Sequence, residues 1–226
     1  MRTSVGKLVL WSLAGPALFL AAVLAFSVAA GVAGVPAERI EEVVSGQGSA
    51  VLLVAGLAFA VLALWLPLGE IWRVRQPWAA DAVLGAVLGV GVALVYLVWL
   101  SPALIWAQGR FGDYVPAGSV GAAISGNLVL FGLANVLLAP AVEETVYRGY
   151  LLPRMMARLG SGLGFVVCCL AFGLLHWLGG FWYMVLTGVV AGGLFAGLRL
   201  WRGGMVAPFA AHLSLNLVEY LASVAR

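Results

Sequence analysis

Charge is what this sequence has least of. Of 226 residues only 9% are Asp, Glu, Lys or Arg and 64% are hydrophobic, where a soluble domain carries roughly 25% and 45–50%. That excludes an ordinary water-soluble fold and makes the chain an integral membrane protein before any motif is considered. Twelve basic and nine acidic residues leave a net charge of +3, a balance that suggests no nucleic-acid partner. Cysteine is nearly missing: Cys168 and Cys169 are adjacent in an apolar run. Neighbouring cysteines rarely pair, and two cannot build a thiolate zinc site. They read as small buried hydrophobes, with a thiol nucleophile as the alternative. No internal repeat and no low-complexity linker is visible, so an inverted-repeat transporter is not supported. At 23.5 kDa there is no room for a second soluble domain.

What is present is apolar sequence in span-length blocks. A spanning helix needs about 20 mainly apolar residues, and seven segments qualify, at roughly 8–34, 50–72, 81–107, 123–147, 163–179, 182–200 and 205–223. The first follows Arg2 and Lys7 as a signal peptide would. Its apolar run exceeds the roughly 7–15 residues of a signal core, so it is expected to stay as an anchor. The expected fold is an all-α polytopic transmembrane helix bundle of about seven spans, with an active-site cavity among the C-terminal four and open to the inside face. With the N-terminus inside, the inner segments hold Arg2, Lys7, Arg73, Arg75, Arg148, Arg154, Arg158, Arg199 and Arg202. The outer ones hold Arg39, Arg110 and Arg226. That is the positive-inside pattern. "GAVLG" (85–89), "GVVAG" (188–192) and "GLFAG" (193–197) place glycines four apart, which allows close helix approach. Trp177, Phe181, Trp182 and Tyr183 flank Gly179-Gly180 as an interfacial turn with an aromatic belt.

Against this background the polar groups at depth stand out. Both histidines of the chain, His176 and His212, fall in expected spans, together with Glu143, Glu144 and Asn216. An ionisable residue inside the membrane is by default a functional one. Glu143 lies 17 residues before Gly160 and His176 lies 16 after it. In an antiparallel pair turning at "GSGLG" (160–164), equal counts mean equal depth, so the two can face each other if a kink near Pro153 does not shorten one arm. His212 and Asn216, Glu144 and Arg148, and Phe172 and His176 are each four residues apart and share a helix face. The acid precedes the base in the second pair, the favoured order. Arg148 can hold Glu144 ionised while Glu143 serves as base, although the reverse assignment stays open. Tyr147 shares the face of Glu143.

"EETVYR" (143–148), "FGLLH" (172–176) and "HLSLN" (212–216) fit EExxxR, FxxxH and HxxxN. In this order, on C-terminal spans, they resemble the CPBP family, which contains type II CAAX prenyl endopeptidases and bacteriocin-processing enzymes. The resemblance covers about residues 123–223 and divides the chain into N-terminal helices of unassigned role, 1–122, and a CPBP-like catalytic core, 123–226. It implies an intramembrane endopeptidase that cuts a membrane-associated protein near its C-terminus. Glu143 and His176 would activate water, His212 with Asn216 would hold the oxyanion, and Glu144 and Arg148 would support the site. Phe172 would pack around it.

A divalent metal, most plausibly zinc, is also expected. His176, His212 and Glu143 would form a His₂Glu set with an open water position, although the chain lacks HExxH. Metal-free and metal-dependent schemes both fit the family's residues. The implied partners are membrane lipid and a protein or peptide substrate, lipidated or not, and the implied location is a bacterial-type plasma membrane with the site toward the cytoplasm. Two other readings use the same cluster: proton-coupled transport, and a non-catalytic immunity or binding protein.

Overall fold

The computed structural model describes residues 3–74, 76–118 and 126–225. Arg2, Arg75 and Arg226 of the charge pattern, the start of the span expected at 123–147 and the proposed boundary at 122/123 lie outside the described residues. The fold is all-α: among the described residues there is no strand. We number the helices α1 (Val5–Val32), α2 (Ile40–Gly46), α3 (Gly48–Ala63), α4 (Trp78–Phe111), α5 (Leu128–Leu159), α6 (Ser161–Leu175), α7 (Phe181–Arg202) and α8 (Val206–Val224). A single turn, Leu68–Ile71, precedes α4. Among the described residues, α1, α4, α5 and α7 are long and apolar enough to cross a membrane, and a segment made of 37–46 and α3, bent by 72°, makes a fifth. Large apolar side chains such as Leu24, Val61, Val83, Trp99 and Trp201 are exposed on the outside of the bundle, where lipid tails rather than water suit them.

Helix occupies most of each expected segment, but among the described residues only four or five of the seven are long and apolar enough to span. Three boundaries differ. The second segment breaks after Ala63, before the Leu68–Ile71 turn. The fourth segment runs on through the charged residues to Leu159, with Pro153 accommodated directly after the π-helical stretch Glu144–Leu151. The fifth stops at Leu175 and leaves His176 outside the helix, at φ −96° and ψ 18°. The α5–α6 turn is also tighter than "GSGLG" suggested. Gly160, at φ +85°, is the one residue between the helices, and it adopts a conformation that glycine takes without steric cost.

Glycine governs how closely the helices approach. α8 lies along α4 in the same direction. A Cβ on Gly85 would come within 2.2 Å of the Ala207 carbonyl oxygen, and one on Gly89 within 2.1 Å of that of Ala211. The "GVVAG" glycines likewise face α6. "GLFAG" does not behave as expected: a Cβ on Gly193 or Gly197 would meet nothing within 4 Å, because that face of α7 has no backbone against it. At the base of α4 and α8, Arg202 Nε donates to Asp81 Oδ1 at 2.6 Å.

Four stretches inside these helices are π-helical: Tyr96–Leu100 in α4, Leu133–Leu138 and Glu144–Leu151 in α5, and Gly188–Gly192 in α7. Such bulges shift the helix register and are frequent at functional sites. Here they surround one place.

Candidate active site

α5 carries Glu143, Glu144 and Arg148 into the middle of the bundle. Glu144 and Arg148 are almost fully buried and pair at 3.3 Å, as their spacing predicts. Arg148 also lies 3.9 Å from the ring centre of Phe172 and 5.1 Å from that of Phe195, and its Nη2 donates to the Gly192 carbonyl at 3.3 Å. The cation is thus surrounded by one carboxylate, two aromatic faces and one carbonyl, while its Nε and Nη1 have no hydrogen-bond partner among the described residues. Phe172, expected as packing, is the surface on which it rests. Tyr147 is buried too, but its hydroxyl donates to the Ser12 carbonyl of α1 at 3.4 Å and not to Glu143.

His212 comes to the same acids from α8. Its Nδ1 lies 2.9 Å from Glu144 Oε1 and its Nε2 lies 3.8 Å from Glu143 Oε2. A carboxylate paired with Arg148 can only accept, so Nδ1–H of His212 donates to it and the Nε2 lone pair points at Glu143. Glu144 therefore has a second partner that its sequence spacing did not reveal. His176 is arranged in the same way, with its Nδ1 3.1 Å from the Phe172 carbonyl. A carbonyl only accepts, so Nδ1–H donates here too and Nε2 is free. Asn216 Nδ2 donates across helices to the Asn135 carbonyl, in the π-helical stretch Leu133–Leu138 of α5, at 2.7 Å.

These groups border one cavity of about 110 Å³, roomy enough for several waters. Glu143, Phe172, His176, His212 and Asn216 line it, whereas Glu144 and Arg148 lie behind the wall. Glu143 Oε2 has no hydrogen-bond partner among the described residues. The cavity is not confined to the four C-terminal spans, because Val92, Tyr96 and Leu100 of α4 supply one side. Sequence reasoning also missed Asn135, Tyr183 and Glu219, all of which line it. Glu219 had a signal: it continues the His212–Asn216 stripe to i+7, on the same face of α8. Asn135 had one too, as an amide inside the expected span 123–147, whereas Tyr183 had none.

The turn bearing His176 is fastened from outside. Asp113 accepts from the backbone N–H groups of Phe181 (2.7 Å) and Trp182 (3.3 Å) at the start of α7. Gln108 Nε2 donates to the Gly179 carbonyl at 3.2 Å, Trp182 Nε1 to the Gly112 carbonyl at 3.0 Å, and the Tyr114 hydroxyl to the Trp177 carbonyl. Desolvation raises the Asp113 pKa, but the hydrogen bonds from Phe181, Trp182, Gln108 and Tyr114 outweigh it and hold the carboxyl below its ordinary value.

Two histidines that donate Nδ1–H to oxygen and present Nε2 to a cavity, with an unpartnered carboxylate oxygen beside them, have the donor chemistry of a metal site. Among the described residues no three His, Cys, Asp or Glu side chains stand close enough together to count as a gathered ligand set, so His176, His212 and Glu143 would have to draw together to hold an ion.

Residues 125–218 match the family model described as Rce1-like, type II CAAX prenyl endopeptidase Rce1-like. The matched segment contains all three motifs, and the resemblance to the CPBP family holds over that segment. No curated protein and no solved structure gives a match.

Proposed function

We propose, from a C-terminal membrane core that is Rce1-like over residues 125–218, that the chain is a membrane-embedded endopeptidase cutting a membrane-associated protein near its C-terminus. The observation that carries this reading is the meeting of Glu143, His176, His212 and Asn216 around one cavity inside an apolar bundle. In the proposed reaction a water in the cavity gives its proton to Glu143 as it attacks the scissile carbonyl. His176 Nε2 accepts a hydrogen bond from that water and fixes its direction. Glu144, paired with Arg148, orients His212 through Nδ1–H. A proton passed from Glu143 to His212 Nε2 would turn His212 into a donor for the oxyanion and then for the leaving amine. The second N–H of Asn216, whose first is taken by Asn135, would be the other oxyanion donor.

A divalent metal belongs to the proposal as a ligand set only. It would supply Lewis-acid polarisation through Nε2 of His176, Nε2 of His212 and Glu143, and no step above depends on it. Residues 1–122 would contribute the α4 wall and the anchoring helices. By the charge pattern the N-terminus and the turns at Gly160 and Gly203 would face the cytoplasm of a bacterial-type plasma membrane, and the His176 end of the cavity would then lie at the opposite end of α6 from Gly160.

The test is cleavage of tail peptides, prenylated and plain, by purified protein in lipid nanodiscs. Glu143→Gln and His176→Ala should each abolish cleavage, and the double variant should be no slower than either single, because groups acting on one water fail together. Near-normal cleavage by Glu143→Gln would remove the water-activation role. Metal content measured on the same wild type and on His212→Ala decides the metal part: stoichiometric metal lost in the variant supports it, and active wild type without metal ends it.

A further inference from the structure

Glu219 lies one residue beyond the segment that matches the family model, yet its side chain lines the same cavity as Glu143 and His212. It sits on the face of α8 that bears His212 and Asn216, two helical turns beyond His212. No ion pair among the described residues engages it. Among the residues lining the cavity none is Lys or Arg, and the nearby cation, Arg148, is occupied by Glu144. The cavity therefore has carboxyl groups at two places along its length, Glu143 and Glu219, and no Lys or Arg lines it beside Glu219. A carboxylate directed into a confined cavity between apolar walls such as Val92, Leu186 and Val190 is costly unless an occupant brings donors to it. An occupant that brings a full positive charge suits it best.

Distance gives the register of that occupant. Seven residues at about 1.5 Å each put Glu219 roughly 10 Å along the helix from His212. An extended peptide advances about 3.3–3.6 Å per residue, so 10 Å is about three residues. We propose that Glu219 is a specificity-determining residue of the endopeptidase reading given above, and that its carboxylate receives a Lys or Arg side chain of the substrate about three residues from the bond that is cut. Tyr183, which also lines the cavity, would close the same subsite.

The experiment uses a set of tail peptides that differ only at the third residue on either side of the cleaved bond, carrying Lys, Leu or Glu there. Wild type should favour the Lys peptide over the Leu peptide by about tenfold in kcat/KM, mostly through KM. Glu219→Gln should erase that preference, and Glu219→Lys should transfer it to the Glu peptide. Equal KM values for all three peptides in wild type, or a Lys preference that survives in Glu219→Gln, would overturn the proposal. Binding of the same peptides to Glu143→Gln, followed by fluorescence titration, separates this inference from the catalytic reading. If wild type cuts nothing but Glu143→Gln binds the Lys peptide selectively, and Glu143→Gln/Glu219→Gln does not, the Glu219 subsite stands while the protease reading falls. Unselective binding to Glu143→Gln overturns the subsite whatever the cleavage result.

Discussion

Arg148 sits between Glu144 and the faces of Phe172 and Phe195, a guanidinium with almost no access to its surroundings. Removing one partner of a buried ion pair leaves the other uncompensated, which costs about 3–5 kcal/mol, whereas replacing both by apolar groups is often neutral. Arg148→Met should therefore lower the melting temperature in detergent sharply. Arg148→Met combined with Glu144→Leu should regain much of the stability and none of the activity, because His212 has then lost the acceptor of its Nδ1–H. A double variant as unstable as the single would mean that the pair contributes more than charge balance. At this scale the sequence was informative where residues are four apart along one stretch: Glu144 and Arg148 meet within α5, and Phe172 meets His176 just past the end of α6. It was silent where partners come from different helices. The Glu144–His212 and Asn216–Asn135 bonds depend on how α5 and α8 rotate against each other, and no periodicity encodes that rotation.

α8 owes its position to α4. Ala211, whose carbonyl crowds Gly89, immediately precedes His212, so anything that separates these helices moves the histidine. Gly89→Ala should cost about 1–3 kcal/mol by overpacking and should lower kcat by displacing His212. Gly91→Ala, where a Cβ meets nothing within 4 Å, should leave both unchanged. Equal behaviour of the two variants, measured by melting and cleavage, would show that the α4–α8 contact does not position the site. The latch around Asp113 has a pH dependence of definite sign. Because its folded-state pKa is lowered, its contribution is fully present above the ordinary carboxylate value and disappears as pH falls through the folded value. Melting of wild type should therefore decline at acid pH more steeply than that of Asp113→Asn. The glycine spacing in "GAVLG" was legible as close packing. The π-helical stretches were not, since they arise from how side chains fit between neighbouring helices rather than from local preference.

At the scale of the molecule, all-helical membrane architecture follows from composition alone, because lipid leaves a backbone few other options. Which side faces the cytoplasm follows only from where basic residues fall, and α6 shows why hydropathy was a blunter guide to depth. His176 lies 16 residues past Gly160, about 24 Å by helical rise, so the α6 end of the site is far from that turn. Single cysteines at Arg73, Ser161 and Arg202, in a background without Cys168 and Cys169, should be protected in intact cells from an impermeant thiol reagent. One at Glu42 should react. The reverse pattern would invert the proposed orientation.

The latch at 108–114 and the α4 wall have a consequence for inheritance. The family match begins at residue 125, as though the remainder were an accessory. Yet Asp113, Gln108 and Tyr114 hold the turn next to His176, and Val92, Tyr96 and Leu100 enclose the cavity. A motif-bearing segment inherited without these residues would lack the fastening of the turn next to His176 and one side of its cavity.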